Sequence, residues 1–581
     1  MAHLDLELVS LENRLTARPD DRALLAQLGA VHEQRNEYAD ALGIYARIVT
    51  ADPGNLDAWA RQGYCFMQLF MFRAALETFD FVLGIDPLHV DALYRKALCL
   101  ETTGAHAQAV ALMARAVALA PDNPTVYPFY AYLLATYGSG AEQALAAFRQ
   151  WGERFADPLT HAAPRADFDS SPGRRLRIGY VSADLRAHSV AFFVEPVLAH
   201  HDRSRFEIHV FASGTADHVT ARIRKTVDSW SDVTAMSDEK LAGLIRRRKI
   251  DILIDLSGHT MGNRLLAFAR RPAPLSATWI GFPYTTGMAA MDYRITDFVL
   301  DPPGKTEDDY CETLFRLQRS ACYQPPREVP LDLVAPLVHA GRPVFASLNN
   351  LKKVTDAMLG VWRRILDAVP DAILLLVATE RDQAQAIDQN LARLAAAGLP
   401  PERLCILPRL SLDGFMQLGL KVDVALDTHP ISGGTTTLHS LWMGLPVVTL
   451  AGGQAFAASS AALLEGIGHG DLIADDVDAY VKIAVSLARD PDRLTAFRSS
   501  IRDRMRYSML MDYDNYTRDL EAAYRLMWLN LVGGDKRYLD TRADPQAAIV
   551  ECETRLAQHR SRGRAPRTPP RVEDATTAEV A

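Results

Sequence analysis

The amino-acid sequence predicts a helical repeat array followed by two α/β domains, each built on a parallel sheet. Two observations predict this fold class. Pro53, Pro87 and Pro121 are spaced 34 residues apart, and such a period is the signature of a helical repeat. From Leu176 onward, short apolar segments alternate with segments of helical periodicity, which is typical of parallel sheets covered by helices.

Residues 1–156 form the predicted repeat array. Small residues keep the 34-residue step at two points of each unit: Gly29, Gly63 and Ala97, and then Ala41, Ala75 and Ala109. This pattern resembles the tetratricopeptide repeat, in which small residues let two helices touch and proline ends the second helix. Three clear units span 23–123, a fourth spans 124–155, and residues 5–20 are half of a degenerate unit. The array is therefore expected to form an α-helical superhelix.

Stacked helix pairs make a curved array with a concave groove, and we expect that groove to bind a protein or peptide. Gln27, Arg61 and Arg95 stand at the same position in successive units, two residues before the small residue. The two arginines could pair with carboxylates of a bound peptide, or they could form a solvated face. The alternative role for the array is packing, including formation of a homodimer through the repeats.

The rest of the chain divides into a linker, two Rossmann-like halves and a tail. The predicted boundaries are 157–175 for the linker, 176–330 for the first half, 331–535 for the second half and 536–581 for a largely disordered tail. The linker is polar, and the tail is rich in Arg and Pro with few apolar residues. We therefore expect the repeats and the two halves to have separate cores.

Composition narrows the classes of function. The net charge of -8 gives no reason to expect a nucleic acid partner, and no apolar run is long enough to cross a membrane. The N-terminus has acids where a signal peptide needs bases. Six scattered cysteines contain no CxxC pair, which argues against a zinc site and fits the reducing cytoplasm.

The most informative stretch runs from Val422 to Gly444. An apolar strand is followed by a turn and then by a segment with helical spacing, and the turn carries Gly433, Gly434, Thr435, Thr436 and Thr437. Glycines let a ligand approach the backbone, and the free amides at a helix start attract anions. This arrangement predicts a phosphate site. The alternative is an ordinary turn capped by threonine.

Polar residues also follow other predicted strands. They are His188 after the first strand, His259 and Thr260 after the strand at 250–256, the loop at 279–287, and Asn350, Lys352 and Lys353 after the strand at 344–347. The carboxyl ends of parallel strands are where α/β proteins bind ligands. We therefore predict one ligand cleft between the two halves, beside the glycine and threonine turn.

These motifs, taken in order with the repeats, resemble the O-GlcNAc transferase and SPINDLY family. The quoted stretches are GYVSADLRAHSVAFF, LSGHTMGNRL, RPAPLSATWIGFPYTTG, MDYRITD, SLNNLKK and DVALDTHPISGGTTTLHSLWMGLPVVTLAG, and the resemblance extends to about residue 530. It implies a GT-B fold and an inverting transfer of a sugar, GlcNAc from UDP-GlcNAc foremost, to Ser or Thr of a protein. It implies no metal and no cofactor.

The resemblance also implies roles for particular residues. It places His188 near the reactive centre, Lys353, Thr435 and Thr436 on the donor phosphates, and Ile280, Gly281 and Pro283 in a loop beside the sugar. Asn350 stands at a donor-binding position where the animal enzyme has Gln. Four positions differ from the animal enzymes: His439 replaces an Asp that binds ribose, Phe415 replaces a His against the base, Gly434 replaces a His, and Tyr284 replaces a Gly. Three alternatives stay open: GDP-fucose as donor, transfer of glucose to Asn, and an inactive repeat scaffold.

Overall fold

The computed structural model describes residues 2–138, 140–164, 168–326, 329–380, 383–542 and 544–561. The repeat array contains the helices α1 Ala2–Ala17, α2 Arg22–Gln34, α3 Tyr38–Ala51, α4 Leu56–Gln68, α5 Phe72–Ile85, α6 Val90–Thr102, α7 His106–Leu119, α8 Val126–Tyr137 and α9 Ala141–Trp151. From α2 onward they pack as successive helix pairs, which confirms the predicted repeat.

The small residues of the repeat are required by close packing between the paired helices. A Cβ atom at Gly29 would lie 2.7 Å from the Tyr45 ring, and one at Gly63 would lie 2.6 Å from the Phe79 ring. Real Cβ atoms do not approach other atoms this closely, because protein interiors are already close-packed. The periodic small residues therefore report a helix contact, as the sequence predicted.

The first α/β half contains a seven-stranded parallel sheet in the order β3-β2-β1-β4-β5-β6-β7. Its strands are β1 Leu176–Ser182, β2 Phe206–Ala212, β3 Ser229–Asp232, β4 Ile252–Asp255, β5 Leu275–Thr278, β6 Tyr293–Asp297 and β7 Thr313–Leu317. The short helix α10 Asp157–His161 connects the repeats to this half. The helices of the half itself are α11 Ala191–His200, α12 His218–Ile223, α13 Asp238–Arg248 and α14 Leu265–Ala269. The strand order reverses at β1, which opens a ligand crevice at that point of the sheet.

The second half contains a six-stranded parallel sheet in the order β10-β9-β8-β11-β12-β13. Its strands are β8 Val344–Ser347, β9 Ile373–Val377, β10 Leu404–Leu407, β11 Val424–Leu426, β12 Val447–Leu450 and β13 Ile473–Ala474. The remaining helices are α15 Pro336–Ala340, α16 Asp356–Ala368, α17 Gln383–Ala396, α18 Leu412–Met416, α19 Thr435–Trp442, α20 Ala455–Gly466, α21 Val477–Ala488, α22 Pro491–Arg506, α23 Tyr513–Gly533 and α24 Pro545–Ser561. Among the described helices, none combines the length and apolar character needed to cross a bilayer.

The C-terminal helices differ from their predicted places. Helix α23 packs into the core of the first half, although the predicted second half extended to residue 535. Helix α24 forms within the predicted disordered tail, and its Ile549 and Cys552 are buried in the same core. The predicted linker is also partly structured, because it contains α10 and because Phe168 packs against Trp528. Residues 562–581 of the predicted tail lie outside the described residues.

The repeats and the two halves share apolar cores. One cluster joins residues of α6 to α9, among them Trp151, to Phe268 and Met288 of the first half. A second cluster brings together Phe148 of α9, Phe282 of the first half and Phe456 of the second half. This packing corrects the expectation of separate cores. The last repeats are covered by the α/β domains on one side and stabilise them in turn.

We predict that deleting residues 1–155 destabilises the α/β halves, because the deletion exposes the faces that Phe148 and Trp151 cover. Each large apolar side chain that loses its burial costs about 1.5–3 kcal/mol. Deleting only residues 1–54 is the control, since the first units pack in a cluster of their own. Thermal unfolding should show a large fall in Tm for the long deletion and a small one for the short deletion. Equal Tm values for wild type and the long deletion would contradict the shared core.

Candidate functional site

The carboxyl ends of strands from both sheets face a cavity of about 340 Å³ between the two α/β halves. Seven of the predicted site residues line it: His188, Ile280, Gly281, Pro283, Lys353, Gly434 and Thr435. The structure therefore brings together residues that lie more than two hundred positions apart in sequence. The cavity lies where the sequence analysis expects the ligand cleft.

A buried carboxylate shapes the glycine and threonine turn. Asp427 is 2% exposed, and its Oδ1 accepts hydrogen bonds from the Gly433 amide at 2.8 Å and from Asn349 Nδ2 at 2.7 Å. Its Oδ2 accepts one from the Thr449 hydroxyl at 2.7 Å. Neither Asp427 nor Asn349 was predicted, although an acid directly after a buried strand was a usable signal. Together they hold the loops that follow β8 and β11 side by side.

Helix α19 begins directly after this turn, and its N-terminus lies at the cavity. Its first internal hydrogen bond runs from the Leu438 amide to the Gly434 carbonyl at 3.1 Å. Among the described hydrogen bonds, the amides of Thr435 and Thr436 have no acceptor. A Cβ atom at Gly434 would meet nothing within 4 Å, so the backbone is open to the cavity there. Free amides at a helix start attract anions such as phosphate.

Lys353 supplies a cation beside this helix start. Its Nζ donates a hydrogen bond to the Ser432 carbonyl at 2.9 Å, so its ammonium lies directly against the turn. Burial lowers the pKa of Lys353 to about 8, the Asp427 carboxylate opposes this shift, and the Lys352 ammonium adds to it. A partly buried ammonium next to free amides is an arrangement that stabilises bound negative charge.

His188 lies on the opposite wall, in the loop between β1 and α11. Its Nδ1 is 3.8 Å from Asp184 Oδ1, and its side chain is 40% exposed. Burial lowers the pKa of His188, and the Asp184 carboxylate opposes this shift, so the imidazole is largely neutral near pH 7. The Ala187 amide donates to Asp217 Oδ2 at 2.7 Å, which fixes the loop. A neutral imidazole beside a carboxylate can accept a proton.

The loop after β5 also lines the cavity, and its backbone conformation is fixed by several contacts. Ile280 has a φ of +65°, a conformation that is rare and strained for a β-branched residue. A side chain at Gly281 would overlap the Leu256 carbonyl. Arg294, which was not predicted, donates to the carbonyls of Phe282 at 3.0 Å and Tyr284 at 2.9 Å and also lines the cavity. The loop that carries Ile280, Gly281 and Pro283 is therefore preorganised.

Two residues predicted near the nucleoside lie in an aromatic cluster instead of lining the cavity. His439 is 5% exposed, its Nδ1 lies 2.6 Å from the Tyr323 hydroxyl, and burial lowers its pKa to about 4. The ring of Phe415 is 6.2 Å from that of His439 and is only partly buried. Tyr323 and Phe192 enclose the His439 ring, and its contact with a ribose stays a prediction.

His259 and Thr260 do not line the sugar side of the cavity. The His259 ring packs 5.0 Å from Phe148 and 4.6 Å from Trp151, both in the last repeat, and its Nε2 lies 2.8 Å from the Thr286 carbonyl oxygen. Thr260 donates its hydroxyl to the Ser257 carbonyl at 2.8 Å. His259 is part of the interface with the repeats and Thr260 is bonded within its own loop, which corrects the prediction.

Three predicted donor contacts are used within the protein. The Gly433 amide is bonded to Asp427, and a side chain at Gly433 would overlap Thr437. The Thr437 hydroxyl lies 2.7 Å from the Ser460 hydroxyl and is buried. The side chain of Asn350 accepts a hydrogen bond from the Lys352 amide at 3.1 Å and caps that turn. These three shape the loops. The helix start and Lys353, which both line the cavity, remain as the groups that can bind an anion there.

The predicted groove residues of the repeats have partners of their own. Arg61 lies 2.7 Å from the Glu33 carboxylate, and Arg95 lies 2.7 Å from the Asp91 carboxylate and stacks on Tyr64. Gln27 is exposed. Both arginines therefore already have a carboxylate partner inside the array, and contact of the three residues with a peptide stays a prediction.

A larger cavity of about 1200 Å³ lies between the last repeats and the second half. Its walls include His106 and Tyr137 of the repeats and His429 and Pro430 of the second half. Phe456 lines both this cavity and the smaller one, so the two spaces adjoin.

Two facing parallel α/β domains, with a cation and a helix start at the cleft between them, define the GT-B class of glycosyltransferase fold. The model of glycosyl transferase family 41 matches residues 157–322 and 339–520, and a tetratricopeptide repeat model matches residues 10–69 and 71–124. The chain belongs to glycosyl transferase family 41. The chain is also similar to a solved mutant of the Thermobaculum terrenum O-GlcNAc transferase, with a TM-score of 0.80 and 33% identity, over 87% of this chain and 97% of that one.

Curated relatives are similar over about two thirds of this chain. The probable UDP-N-acetylglucosamine–peptide N-acetylglucosaminyltransferase SPINDLY of Oryza sativa subsp. japonica is 41% identical over 397 residues, which are 67% of this chain and 42% of the relative. The UDP-N-acetylglucosamine–peptide N-acetylglucosaminyltransferase of Caenorhabditis elegans is 26% identical over 494 residues, 65% of this chain and 42% of the relative. The chain thus spans about two fifths of the length of these relatives.

The pKa of Lys353 yields a prediction about pH. Lysine is charged below its pKa, so we expect affinity for a nucleoside diphosphate to fall as pH rises through about 8 and to be roughly tenfold weaker one pH unit higher. Calorimetric titrations of UDP and GDP between pH 6.5 and 9.5 measure this. The control is Lys353→Arg, in which the guanidinium stays charged and the fall should disappear. The same fall in wild type and Lys353→Arg would show that another group titrates.

Proposed function

We propose that this chain transfers a sugar from a nucleotide-sugar donor to a hydroxyl group of a protein, and that the donor is UDP-GlcNAc. The observation that carries the proposal is the Lys353 ammonium lying against the turn before α19, across the cavity from His188. Membership of glycosyl transferase family 41 supports the class of reaction. The names of the relatives, which are peptide N-acetylglucosaminyltransferases, support the donor.

In the proposed reaction, the acceptor oxygen bonds to the anomeric carbon while the bond from that carbon to the β-phosphate oxygen breaks. The nucleoside diphosphate leaves with the electron pair of that bond, and its charge develops beside Lys353 and the amides of Thr435 and Thr436. Preorganised donors at the point where charge develops are a major source of catalysis. Because these groups supply positive charge, we propose that no metal or other cofactor is needed.

His188 is proposed to receive the proton that the acceptor hydroxyl loses. Its lowered pKa keeps it neutral near pH 7, and Asp184 then stabilises the imidazolium. The loop at 280–283 is proposed to hold the sugar, since its backbone is fixed by Arg294 and by the close approach of Gly281 to Leu256. The attack from the face opposite the diphosphate inverts the anomeric centre.

The protein acceptor is proposed to enter through the larger cavity between the repeats and the second half. That cavity is lined mainly by small and uncharged residues, and Asp356 and Arg393 within it are 3.1 Å apart and neutralise each other. An extended segment could place one hydroxyl past Phe456 and leave its flanks against the repeats. An inactive scaffold would not require the facing Lys353 and His188.

The test is sugar transfer to a protein acceptor from UDP-GlcNAc, GDP-fucose and UDP-glucose, with mass spectrometry to locate the modified residue. We expect transfer from UDP-GlcNAc to Ser or Thr. Lys353→Met should reduce turnover by about 10²–10³, the usual cost of losing one such donor. Lys482→Met, which removes an exposed lysine of α21, is the matched control and should keep wild-type turnover.

Each other outcome changes a stated part of the proposal. Transfer from GDP-fucose alone would replace the donor and keep the reaction class. Modification of Asn would replace the acceptor group. Wild-type turnover in Lys353→Met would contradict the role of Lys353, and no transfer from any of the three donors would overturn the enzymatic proposal.

A further inference from the structure

The residue before Lys353 is held by the repeat array. The Lys352 Nζ lies 3.4 Å from the Glu101 carboxylate of α6. The Lys352 carbonyl lies 2.8 Å from His106 Nε2 and accepts a hydrogen bond from the Tyr137 hydroxyl at 2.9 Å. Three successive helices, α6, α7 and α8, therefore contact one residue of a loop that belongs to the second half. We call Glu101, His106 and Tyr137 the repeat clamp.

The carboxylate of the clamp is shielded from water, and its two rings stack on each other. Glu101 is 3% exposed, and the Tyr132 hydroxyl lies 3.5 Å from its carboxylate. The rings of His106 and Tyr137 stack with centroids 3.8 Å apart and planes 13° apart. Burial lowers the pKa of His106, so the ring is neutral and donates from Nε2 to the carbonyl. Charged and neutral contacts thus fix both the side chain and the backbone of Lys352.

The position of Lys352 determines that of Lys353, because the two lie in one short helical turn. The Lys353 amide donates to the Asn350 carbonyl at 2.9 Å, and the Val354 amide donates to the Leu351 carbonyl at 3.0 Å. The Lys353 Nζ then reaches the Ser432 carbonyl. A turn this short cannot move at Lys352 without moving at Lys353.

We propose that Glu101, His106 and Tyr137 are positioning residues for the sugar transfer, which hold Lys352 and thereby set the Lys353 ammonium at the donor diphosphate. The inference rests on the proposed function. It makes the repeats part of the donor site in addition to a surface for the acceptor. Misplacement of a charged donor by about 1 Å can reduce a rate by roughly a hundredfold.

The repeat provides a matched control. Glu33 occupies the same position as Glu101 two units earlier, and it forms an ion pair with Arg61 at 2.7 Å inside the array. Glu33→Gln and Glu101→Gln each remove one such carboxylate. They differ in that only Glu101 contacts the loop of Lys353. Tyr137→Phe removes the hydroxyl from the Lys352 carbonyl and keeps the ring that stacks on His106.

The experiment compares wild type, Glu101→Gln, Tyr137→Phe and Glu33→Gln in the full chain. Amide hydrogen exchange of the peptide spanning 349–354 reports the loop without reference to activity. We expect exchange there to quicken about tenfold in Glu101→Gln and Tyr137→Phe and to stay within twofold in Glu33→Gln. Affinity for UDP and GDP and kcat for transfer should fall about tenfold in the first two variants only. The KM for the acceptor should change little in Glu101→Gln, because Glu101 does not line the larger cavity.

A purely structural role predicts another result. If Glu101→Gln and Tyr137→Phe lower Tm as Glu33→Gln does, but leave exchange at 349–354 and nucleotide affinity unchanged, the positioning role is wrong. If exchange and nucleotide affinity change as expected but wild type transfers no sugar, the clamp stands and the proposed function fails. If Glu101→Gln does not fold, Tyr137→Phe decides, since it removes only one oxygen atom.

Discussion

The buried Asp427 carboxylate is the constraint on which the second half's side of the cleft depends. This carboxylate holds the loop after β8 through Asn349 and the turn before α19 through Gly433. The Tyr480 hydroxyl fixes the same residue by donating to the main-chain carbonyl of Asp427 at 2.8 Å. Loss of this carboxylate would leave the buried Gly433 amide without its acceptor, at a cost of about 1–3 kcal/mol, and would remove one acceptor each from Asn349 and Thr449. Its charge also keeps the pKa of Lys353 from falling further. One group therefore aligns the helix start with the lysine and supports the charge of that lysine.

The second constraint is that the repeats and the α/β halves form a single packed unit. Phe148, Phe282 and Phe456 come from three parts of the chain and meet in one cluster. Phe456 also separates the small cavity from the large one, so the shared core lies between the places proposed for donor and acceptor. Contacts of the repeats reach both the Ile280 loop, through His259 and Phe148, and the Lys353 loop, through Lys352. The array thus contributes to the geometry of both walls.

Much of the fold was predictable because its signals are local. The 34-residue period predicted the repeats, and apolar runs such as 344–347 and 373–377 predicted strands of the second half. The structure confirms both. Strand β3, with the sequence SWSD, was missed because it is polar, and α24 was missed because its apolar residues are few. Their positions at strand ends correctly predicted that His188, Lys353 and Thr435 line the cavity. His259 and His439 were predicted at the same cavity and do not line it. Which face of a loop a side chain occupies depends on distant partners, here Trp151 and Tyr323, and no local pattern reports them.

The most direct test of the account is a crystal structure of the full chain with UDP or GDP bound. We expect the diphosphate in the cavity between the halves, with phosphate oxygens within hydrogen-bond distance of Lys353 Nζ and of the amides of Thr435 and Thr436. His188 should lie on the far side of the reacting position. A diphosphate bound elsewhere would contradict the central claim. So would a diphosphate bound in the cavity without contact to the Lys353 ammonium, if that ammonium still donated only to the Ser432 carbonyl.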